Sequence, residues 1–377
     1  MGYSNEGRML VKKMGVDDVV ENHLAEKLVF YVFQIDNLSS AAANILKQTA
    51  LSRGTDAVIH RDVITGKIQN SSVVISGTKK EFKYISDSLK NQAFQLGDIS
   101  NKILELVSFL DKRNHTKIIG VLNITPDSFS DGGLYLRPED AIKRIEEMIG
   151  EGAEIIDIGG ESSRPGAEPI GEEEELKRVI PVIDAIKKKK VRFSIDTYRS
   201  KVAQEALKRG AEFVNDISGM RFDKNMVKVV SDYNARVIIM HMKGTPKNMQ
   251  RNPGYEDVID EIMNFFAERI VFCEKNGLKR ENIILDPGIG FGKRLEDNLK
   301  ILKNLIEFRS FGTPVMIGAS RKSFIKGITG APVDERLAGS LAAVSEAFLQ
   351  GIDYVRVHDV KETKQYLDVI SAIEESI

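Results

Sequence analysis

The chain has 377 residues, of which 42% are hydrophobic and 29% charged, as is typical of a globular protein with a sizeable core. Its 54 lysines and arginines balance 55 aspartates and glutamates, so no overall field would draw nucleic acid or an anionic membrane to its surface. The single cysteine, Cys273, excludes an internal disulfide and a metal site built from cysteines. The N-terminus is polar and lacks a signal-peptide pattern. Together with the single cysteine, this predicts a cytoplasmic protein.

Residues 1–110 predict a small α+β domain whose role the sequence does not reveal. Strand-like apolar runs and helical patterns follow one another in the order βαββα, which is that of part of a ferredoxin-like unit. A helical linker is expected at 99–110, before the next domain begins at residue 111. The predicted elements are strands at 28–33, 57–59 and 72–76 and helices at 39–51 and 79–91.

Residues 111–377 alternate short apolar strands with amphipathic helical patterns, which predicts a (β/α)₈ TIM barrel, an α/β fold. The strand cores are rich in isoleucine and valine and do not alternate with polar residues, as expected of parallel strands buried on both faces. A doubly wound sheet is the alternative, but the glycine-rich fingerprint usual after its first strand is missing. The eight strand cores are 118–122, 155–158, 193–195, 213–217, 237–240, 283–285, 315–317 and 354–357.

Polar residues follow every predicted strand, and the carboxyl ends of barrel strands surround the active site. Asp196 and Asp286 stand at two of these ends, with Asn215 between them in strand order. Carboxylates only accept hydrogen bonds, so this set suits a ligand edge rich in N–H donors, such as the N–H and NH₂ of a cyclic guanidine.

Cationic residues follow other strands of the same set. We expect Arg164, Lys322, Arg356 and His358 to lie opposite the carboxylates and to bind a diphosphate or triphosphate. Asn123 offers a neutral oxygen that could help to hold a hydrated Mg²⁺ against that phosphate. With neither a Ser–His–Asp order nor a cysteine nucleophile, the pattern favours displacement of a phosphate leaving group.

The glycine-rich segment 288–293 resembles a phosphate-binding loop but departs from its spacing. Pro287 stands where the first glycine would be, and Arg294 replaces the serine or threonine after the lysine. The segment therefore predicts a tight turn that lets the backbone approach a flat ligand. His241, on the fifth strand's exit, is interpreted as a buried structural histidine.

Eight sequence blocks between residues 117 and 377 resemble, in order and spacing, those of the dihydropteroate synthase family. Ser163 is a small departure, since the family more often has threonine there, but the hydroxyl is kept. The resemblance does not extend to the first 110 residues. The blocks are 123–133 (NITPDSFSDGG), 159–167 (GGESSRPGA), 194–197, 215–219, 240–242, 285–293 (LDPGIGFGK), 320–322 and 356–360.

The resemblance implies that 6-hydroxymethyl-7,8-dihydropterin diphosphate condenses with 4-aminobenzoate to give dihydropteroate and diphosphate. It also implies a homodimer, a Mg²⁺ ion, and two long loops, after the first and second strands, that close over the site. It assigns the pterin pocket to Asp196, Asn215, Met240, Asp286, Phe291 and Lys322. It assigns the diphosphate site to Asn123, Ser163, Arg164, Arg356 and His358, with the metal at Asn123. It assigns the aminobenzoate side to Asp131, Ser163, Pro165, Ser320 and Arg321, and catalytic roles to Asp131, Arg164, Lys322, Arg356 and His358.

Two other functions remain open within the same superfamily. A methyltetrahydrofolate-dependent methyltransferase would keep the pterin residues but would have no need for Arg356, His358 and the loop at 159–167. A non-catalytic pterin-binding protein would be expected to lose the two loops while keeping the pocket. A phosphate-binding isomerase barrel gives no reason for the carboxylates at Asp196 and Asp286.

Overall fold

The computed structural model describes residues 11–17, 19–20, 24, 27–111, 115–124, 138–162 and 166–376. The chain divides into two compact units, Met1–Lys112 and Arg113–Ser376. The boundary falls about two residues after the one expected from the sequence. None of the helices in the described ranges is long and apolar enough to cross a membrane.

The first unit is built on a three-stranded sheet in the order β1-β3-β2, with β3 antiparallel to both neighbours. The strands β1 and β2 are therefore parallel to each other and are joined by a helix, which is the split βαβ arrangement of ferredoxin-like folds. The expected βαββα order is present. The elements are β1 (Phe30–Ser39), α1 (Ser40–Ser52), β2 (Asp56–Ile59), β3 (Asn70–Thr78), α2 (Lys79–Leu89) and α3 (Leu96–Asp111).

The segment expected to be a helical linker is instead part of the first unit's core. Helix α3 contributes Ile103 and Val107 to the apolar cluster that also contains Ile75 of β3 and Phe82 of α2. The sequence interpretation was wrong on this point because an amphipathic helix that follows a domain has the same pattern as one that completes it. The core is closed only when α3 covers it.

The second unit is a closed barrel of eight parallel strands, as predicted. Hydrogen-bonded neighbours run in the order β10-β11-β4-β5-β6-β7-β8-β9, and a parallel bridge between Leu285 and Val315 closes the gap between the ends. The strands are β4 (Lys117–Asn123), β5 (Ile155–Gly159), β6 (Phe193–Asp196), β7 (Phe213–Asp216), β8 (Arg236–Met240), β9 (Ile283–Asp286), β10 (Met316–Ile317) and β11 (Tyr354–Val357).

Helices surround the barrel and bury one apolar face each against the strands. In the first of them, Ala141, Ile145 and Met148 are buried at the three- and four-residue spacing of a helical face. The longest begins after Asp257, whose side chain accepts the free N–H groups of the first turn. The helices are α4 (Pro138–Gly150), α5 (Glu172–Ile186), α6 (Ser200–Lys208), α7 (Met226–Asp232), α8 (Val258–Lys275), α9 (Leu295–Lys303), α10 (Leu305–Phe308), α11 (Ser323–Thr329), α12 (Leu337–Leu349) and α13 (Val360–Glu375).

The two units have separate apolar cores among the described residues, which predicts that the barrel folds without the first unit. The cluster between strands and helices of the barrel draws only on residues 118–367, and that of the first unit only on residues 38–107. A truncated chain beginning at Asn114 should therefore remain folded, with a cooperative thermal transition, and should keep its pterin affinity. A truncated chain that is folded but no longer binds pterin would contradict this separation.

Candidate active site

The candidate site is the upper layer of side chains inside the barrel. Successive strand residues point to opposite faces, so residues two apart share the interior. A lower apolar layer fills the barrel with Ile119, Ile155, Phe213, Ile238, Ile284, Met316 and Tyr354. Two residues further along their strands stand Asp157, Asn215, Met240, Asp286, Gly318 and Arg356.

Arg356 of β11 connects two carboxylates across this layer. Its Nε donates to Oδ2 of Asp157 at 2.6 Å and its Nη2 donates to Oδ2 of Asp196 at 2.8 Å. The sequence interpretation placed Arg356 and Asp196 on opposite sides of a ligand, and the structure brings them into contact. That separation was wrong because a long arginine side chain reaches across the interior of a closed barrel.

Asp157 is a fully buried acceptor in the same layer. Besides Arg356, its Oδ2 accepts from Nδ2 of Asn215 at 3.0 Å, and its Oδ1 accepts from the hydroxyl of Ser194. The other side-chain atom of Asn215, Oδ1, is buried and has no hydrogen-bond partner among the described residues. The amide of Asn215 therefore presents a free carbonyl oxygen.

Asp286 stands at the end of β9, where the glycine-rich segment begins. Its Oδ1 accepts the backbone N–H of Gly288 at 2.7 Å. Gly288 has φ +68°, and a Cβ there would lie 2.1 Å from the carbonyl oxygen of His241, so only glycine fits. This confirms a tight turn at 288–293.

His241 is buried, as predicted, and the lysine that ends the glycine-rich segment holds it. The Nζ of Lys293 donates to the carbonyl oxygens of His241 and Phe291 at 3.2 and 3.1 Å and lies 3.0 Å from Nδ1 of His241. Burial, and then the charge of Lys293, lower the pKa of His241 to about 2. The ring is therefore neutral, and burial also lowers the pKa of Lys293, to about 7. The sequence analysis missed this pairing.

Lys322 and Phe291 form one wall of the site. The Nζ of Lys322 lies 4.0 Å from the centre of the Phe291 ring. Phe291 and Met240 belong to a small apolar cluster at this end of the barrel, which also contains Ile217, Met242 and Met249. The structure thus places a flat apolar surface directly beside a cation.

Ser320 and His358 contact each other at the ends of β10 and β11. The Oγ of Ser320 accepts the backbone N–H of His358 at 3.2 Å and lies 3.0 Å from its Nδ1. Burial, followed by the charge of Arg356, lowers the pKa of His358 to about 3. The expectation that His358 serves as a cation is therefore wrong for the free protein, where it is a neutral hydrogen-bonding group.

Arg321 forms a two-pronged ion pair with Asp359. Its Nε donates to Oδ2 at 3.0 Å, and its Nη2 donates to Oδ1. The backbone of Arg321 has φ +56°, and its N–H donates to Oγ of Ser340 at 2.9 Å. Asp359 therefore fixes the position of the guanidinium that the resemblance assigned to the aminobenzoate side.

Asn123 ends β4 beside Gly159, which in turn is the register partner of Asp196. A Cβ on Gly159 would lie 3.5 Å both from Oδ1 of Asn123 and from Cβ of Asp196. The missing side chain keeps the space between these two polar groups free.

Four of the expected site residues, Asp131, Ser163, Arg164 and Pro165, lie outside the described residues. The described base of the second loop is held by Glu161, which accepts from the hydroxyl of Tyr198 at 2.7 Å and from the N–H of Ile170 at 3.1 Å. Arg199 pairs with the same carboxylate at 2.7 Å. The sequence analysis missed these contacts, although Tyr198 and Arg199 follow Asp196 directly.

Burial sets the ionisation of the central groups. It raises the pKa of Asp196 to about 7, against the opposing effect of Arg356. It also raises the pKa of Asp286, although the Gly288 N–H and Lys322 favour its charged form. Burial and the charge of Arg356 lower the pKa of Lys322 to about 8. Shifted acids and bases gathered in one cleft are typical of functional sites.

Comparison with known proteins agrees with this geometry. Residues 119–358, which contain the whole layer, match the family described as "Pterin binding enzyme". The chain belongs to the dihydropteroate synthase family. It is 45% identical to the dihydropteroate synthase of Escherichia coli K12 over 260 residues, 69% of this chain and 92% of that protein.

Two further members extend the comparison. A structure of the Xanthomonas albilineans dihydropteroate synthase with 4-aminobenzoic acid superposes with a TM-score of 0.65 at 38% identity, covering 70% of this chain and 94% of the other. The bifunctional dihydropteroate synthase/dihydropteroate reductase of Helicobacter pylori is 37% identical over 372 residues, 97% of this chain and 96% of its own. These relatives are dihydropteroate synthases and match the whole barrel, which decides against the methyltransferase and non-catalytic alternatives.

The ionisation of Asp196 and Lys322 predicts a bell-shaped pH dependence of pterin affinity. Asp196 becomes an acceptor-only carboxylate as the pH rises through about 7, and Lys322 loses its proton above about 8. Affinity for a pterin, titrated calorimetrically, should rise to a maximum between these values and then fall. Asp196→Asn should abolish the acidic limb and keep the alkaline one. An acidic limb that persists in Asp196→Asn would assign it to another group.

Proposed function

We propose that this protein condenses 6-hydroxymethyl-7,8-dihydropterin diphosphate with 4-aminobenzoate to give 7,8-dihydropteroate and diphosphate. The observation that carries the proposal is the cluster at the carboxyl ends of the strands that joins hydrogen-bond acceptors to cations. Asp196, Asp286 and the free carbonyl of Asn215 supply the acceptors, and Lys322 and Arg356 supply the positive charge. A pterin diphosphate has the matching N–H edge and anionic tail in one molecule.

The acceptors bind the pterin ring in this proposal. The Oδ1 of Asp286 already accepts from Gly288, so Oδ2 and the remaining lone pair of Oδ1 take the N–H and NH₂ of the ring edge. Phe291 and Met240 line the flat ring, and Lys322 donates to a ring oxygen or nitrogen. The pocket thus matches the pterin in both shape and polarity.

The reaction itself needs a stabilised leaving group more than a strong base. The bond between the methylene carbon and the bridging oxygen breaks, and the electron pair leaves with the diphosphate. The amine of 4-aminobenzoate then forms the C–N bond and releases one proton. Lys322, Arg356 and the neutral N–H of His358 stabilise the departing anion, while the electron-rich dihydropterin stabilises the cationic carbon.

A magnesium ion fits this arrangement as part of the substrate complex. Within the described ranges no three histidine, cysteine, aspartate or glutamate side chains are grouped to hold a metal ion. Mg²⁺ commonly binds through few protein oxygens, with phosphate oxygens and water as its other ligands. Oδ1 of Asn123 can supply such an oxygen, since Gly159 leaves the space beside it open. A bound Mg²⁺ would neutralise charge on the diphosphate.

The 4-aminobenzoate side is proposed at the ends of β10 and β11. Ser320 offers a hydroxyl there and Arg321 a cation for the carboxylate, with Asp359 fixing the guanidinium. Asp131, Ser163, Arg164 and Pro165 complete the site in this proposal. The solved Xanthomonas albilineans relative contains 4-aminobenzoic acid, which supports this substrate.

We further propose a homodimer formed through barrel helices. Leu295 and Leu299 of α9 and Ile328 of α11 are exposed apolar side chains. Gly327 of α11 lies against Leu295, so the three belong to neighbouring helices. Such patches mark interaction surfaces, and sedimentation velocity would reveal a mass near twice 42.1 kDa.

A reducing cytoplasm is the proposed location, in agreement with the free, buried thiol of Cys273.

Asp286→Asn should weaken pterin binding strongly. The amide keeps the shape of the carboxylate but sets an N–H donor against either the Gly288 N–H or the ligand. Such mispairing in a buried site costs about 2–3 kcal/mol. Calorimetric titration of a pterin should show the loss, and Asp297→Asn, which changes a carboxylate paired with Arg294 outside the layer, is the matched control. Equal affinity in Asp286→Asn and the unmodified protein would remove Asp286 from the pocket.

Reduction of the product is a second candidate activity, favoured by the Helicobacter pylori relative, whose similarity runs through the first unit. The N5=C6 bond of 7,8-dihydropteroate would take a hydride at C6 and a proton at N5, with a reduced nicotinamide or flavin as electron donor. The full chain should then oxidise that donor in the presence of dihydropteroate. The chain that begins at Asn114 should retain the synthase activity alone. Equal reductase rates for the full chain and the truncated chain would show that the reductase site does not lie in the first unit.

A further inference from the structure

We propose that Asp157 is a positioning residue that holds Asn215 as a hydrogen-bond acceptor and thereby gives the pocket part of its selectivity for a donor-rich ring edge. The inference rests on the proposed pterin-binding function. It concerns a residue that the family resemblance, as described above, does not assign to any of the three subsites.

The contacts of Asp157 determine which end of the Asn215 amide faces the ligand. An amide side chain can present either a carbonyl oxygen or an NH₂ group, and the two ends have nearly the same shape. A carboxylate can only accept, so the 3.0 Å contact between Oδ2 of Asp157 and Asn215 requires the NH₂ group on that side. The carbonyl oxygen must then point the other way.

The carbonyl end of Asn215 is buried and unsatisfied. Asn215 is 3% exposed, and its Oδ1 has no hydrogen-bond partner within the described part of the chain. A buried acceptor without a partner costs free energy that a ligand N–H would recover. Asn215 is the register partner of Asp196, and so its carbonyl extends the row of acceptors along this edge.

Asp157 is itself held in one orientation. Arg356 donates to its Oδ2 at 2.6 Å, and Ser194 donates to its Oδ1. Both oxygens are engaged by donors from two other strands, so the carboxyl group cannot turn away from Asn215 without losing these hydrogen bonds.

Selectivity between two ring edges tests this role separately from stability. The probes are 6-hydroxymethylpterin and its 2,4-dioxo analogue, in which an oxygen replaces the exocyclic NH₂ and turns a donor into an acceptor. The unmodified protein should prefer the pterin. In Asp157→Asn the new side chain can donate to Asn215, so the amide can turn and present NH₂ to the ligand. The ratio of the two affinities should fall by about tenfold.

Two further variants keep the test decisive. Ser194→Ala removes another donor to Asp157 but does not touch Asn215, and it should leave the ratio unchanged. Asn215→Ala deletes the carbonyl while Asp157 keeps Arg356 and Ser194, and it should lower the ratio as Asp157→Asn does. It therefore tests the carbonyl even if Asp157→Asn does not fold.

The outcomes separate this inference from the proposed function. An unmodified protein that binds neither probe would contradict the pterin-binding function itself. If the unmodified protein prefers pterin while folded Asp157→Asn or Asn215→Ala keeps the same ratio, the positioning role is overturned and the function stands. If Asp157→Asn lowers the affinities for both probes equally, so that their ratio does not change, Asp157 has a merely structural role.

Discussion

The two-residue alternation of side chains in a closed parallel barrel is the constraint on which the site depends. It forces every second strand residue into the interior, so the chain must fill that space layer by layer. The lower layer is apolar and closes the barrel. The next layer contains Asp157, Asn215, Asp286 and Arg356, and these polar side chains distinguish a binding site from a continued core.

Burying several carboxylates in that second layer is costly, and one arginine offsets much of the cost. Asp157 and Asp196 both contact Arg356, which lies between them. Removing one partner of such a buried group leaves an uncompensated charge and costs about 3–5 kcal/mol. Among the described residues the carbonyl oxygen of Asn215 has no hydrogen-bond partner, so the protein holds a buried acceptor beside Asp286 and Asp196 that a donor-rich ligand would satisfy.

The sequence predicted the eight strands of the barrel and the row Asp196, Asn215 and Asp286, because short apolar runs and the polar residues that end them are local signals. It did not predict the contact between Arg356 and Asp196. Those two residues are far apart in the chain and meet only across the closed interior. The neutral state of His358 was missed for the same reason, because it follows from burial and from the charge of Arg356.

A crystal structure of this protein with bound 6-hydroxymethylpterin diphosphate tests the central claim most directly. The ring edge that carries N–H and NH₂ should lie within hydrogen-bond distance of Asp286 and of the Asn215 carbonyl, with the diphosphate directed toward Arg356 and His358. A pterin ring bound outside this interior layer, or one whose donor edge faces away from both acceptors, would contradict the account.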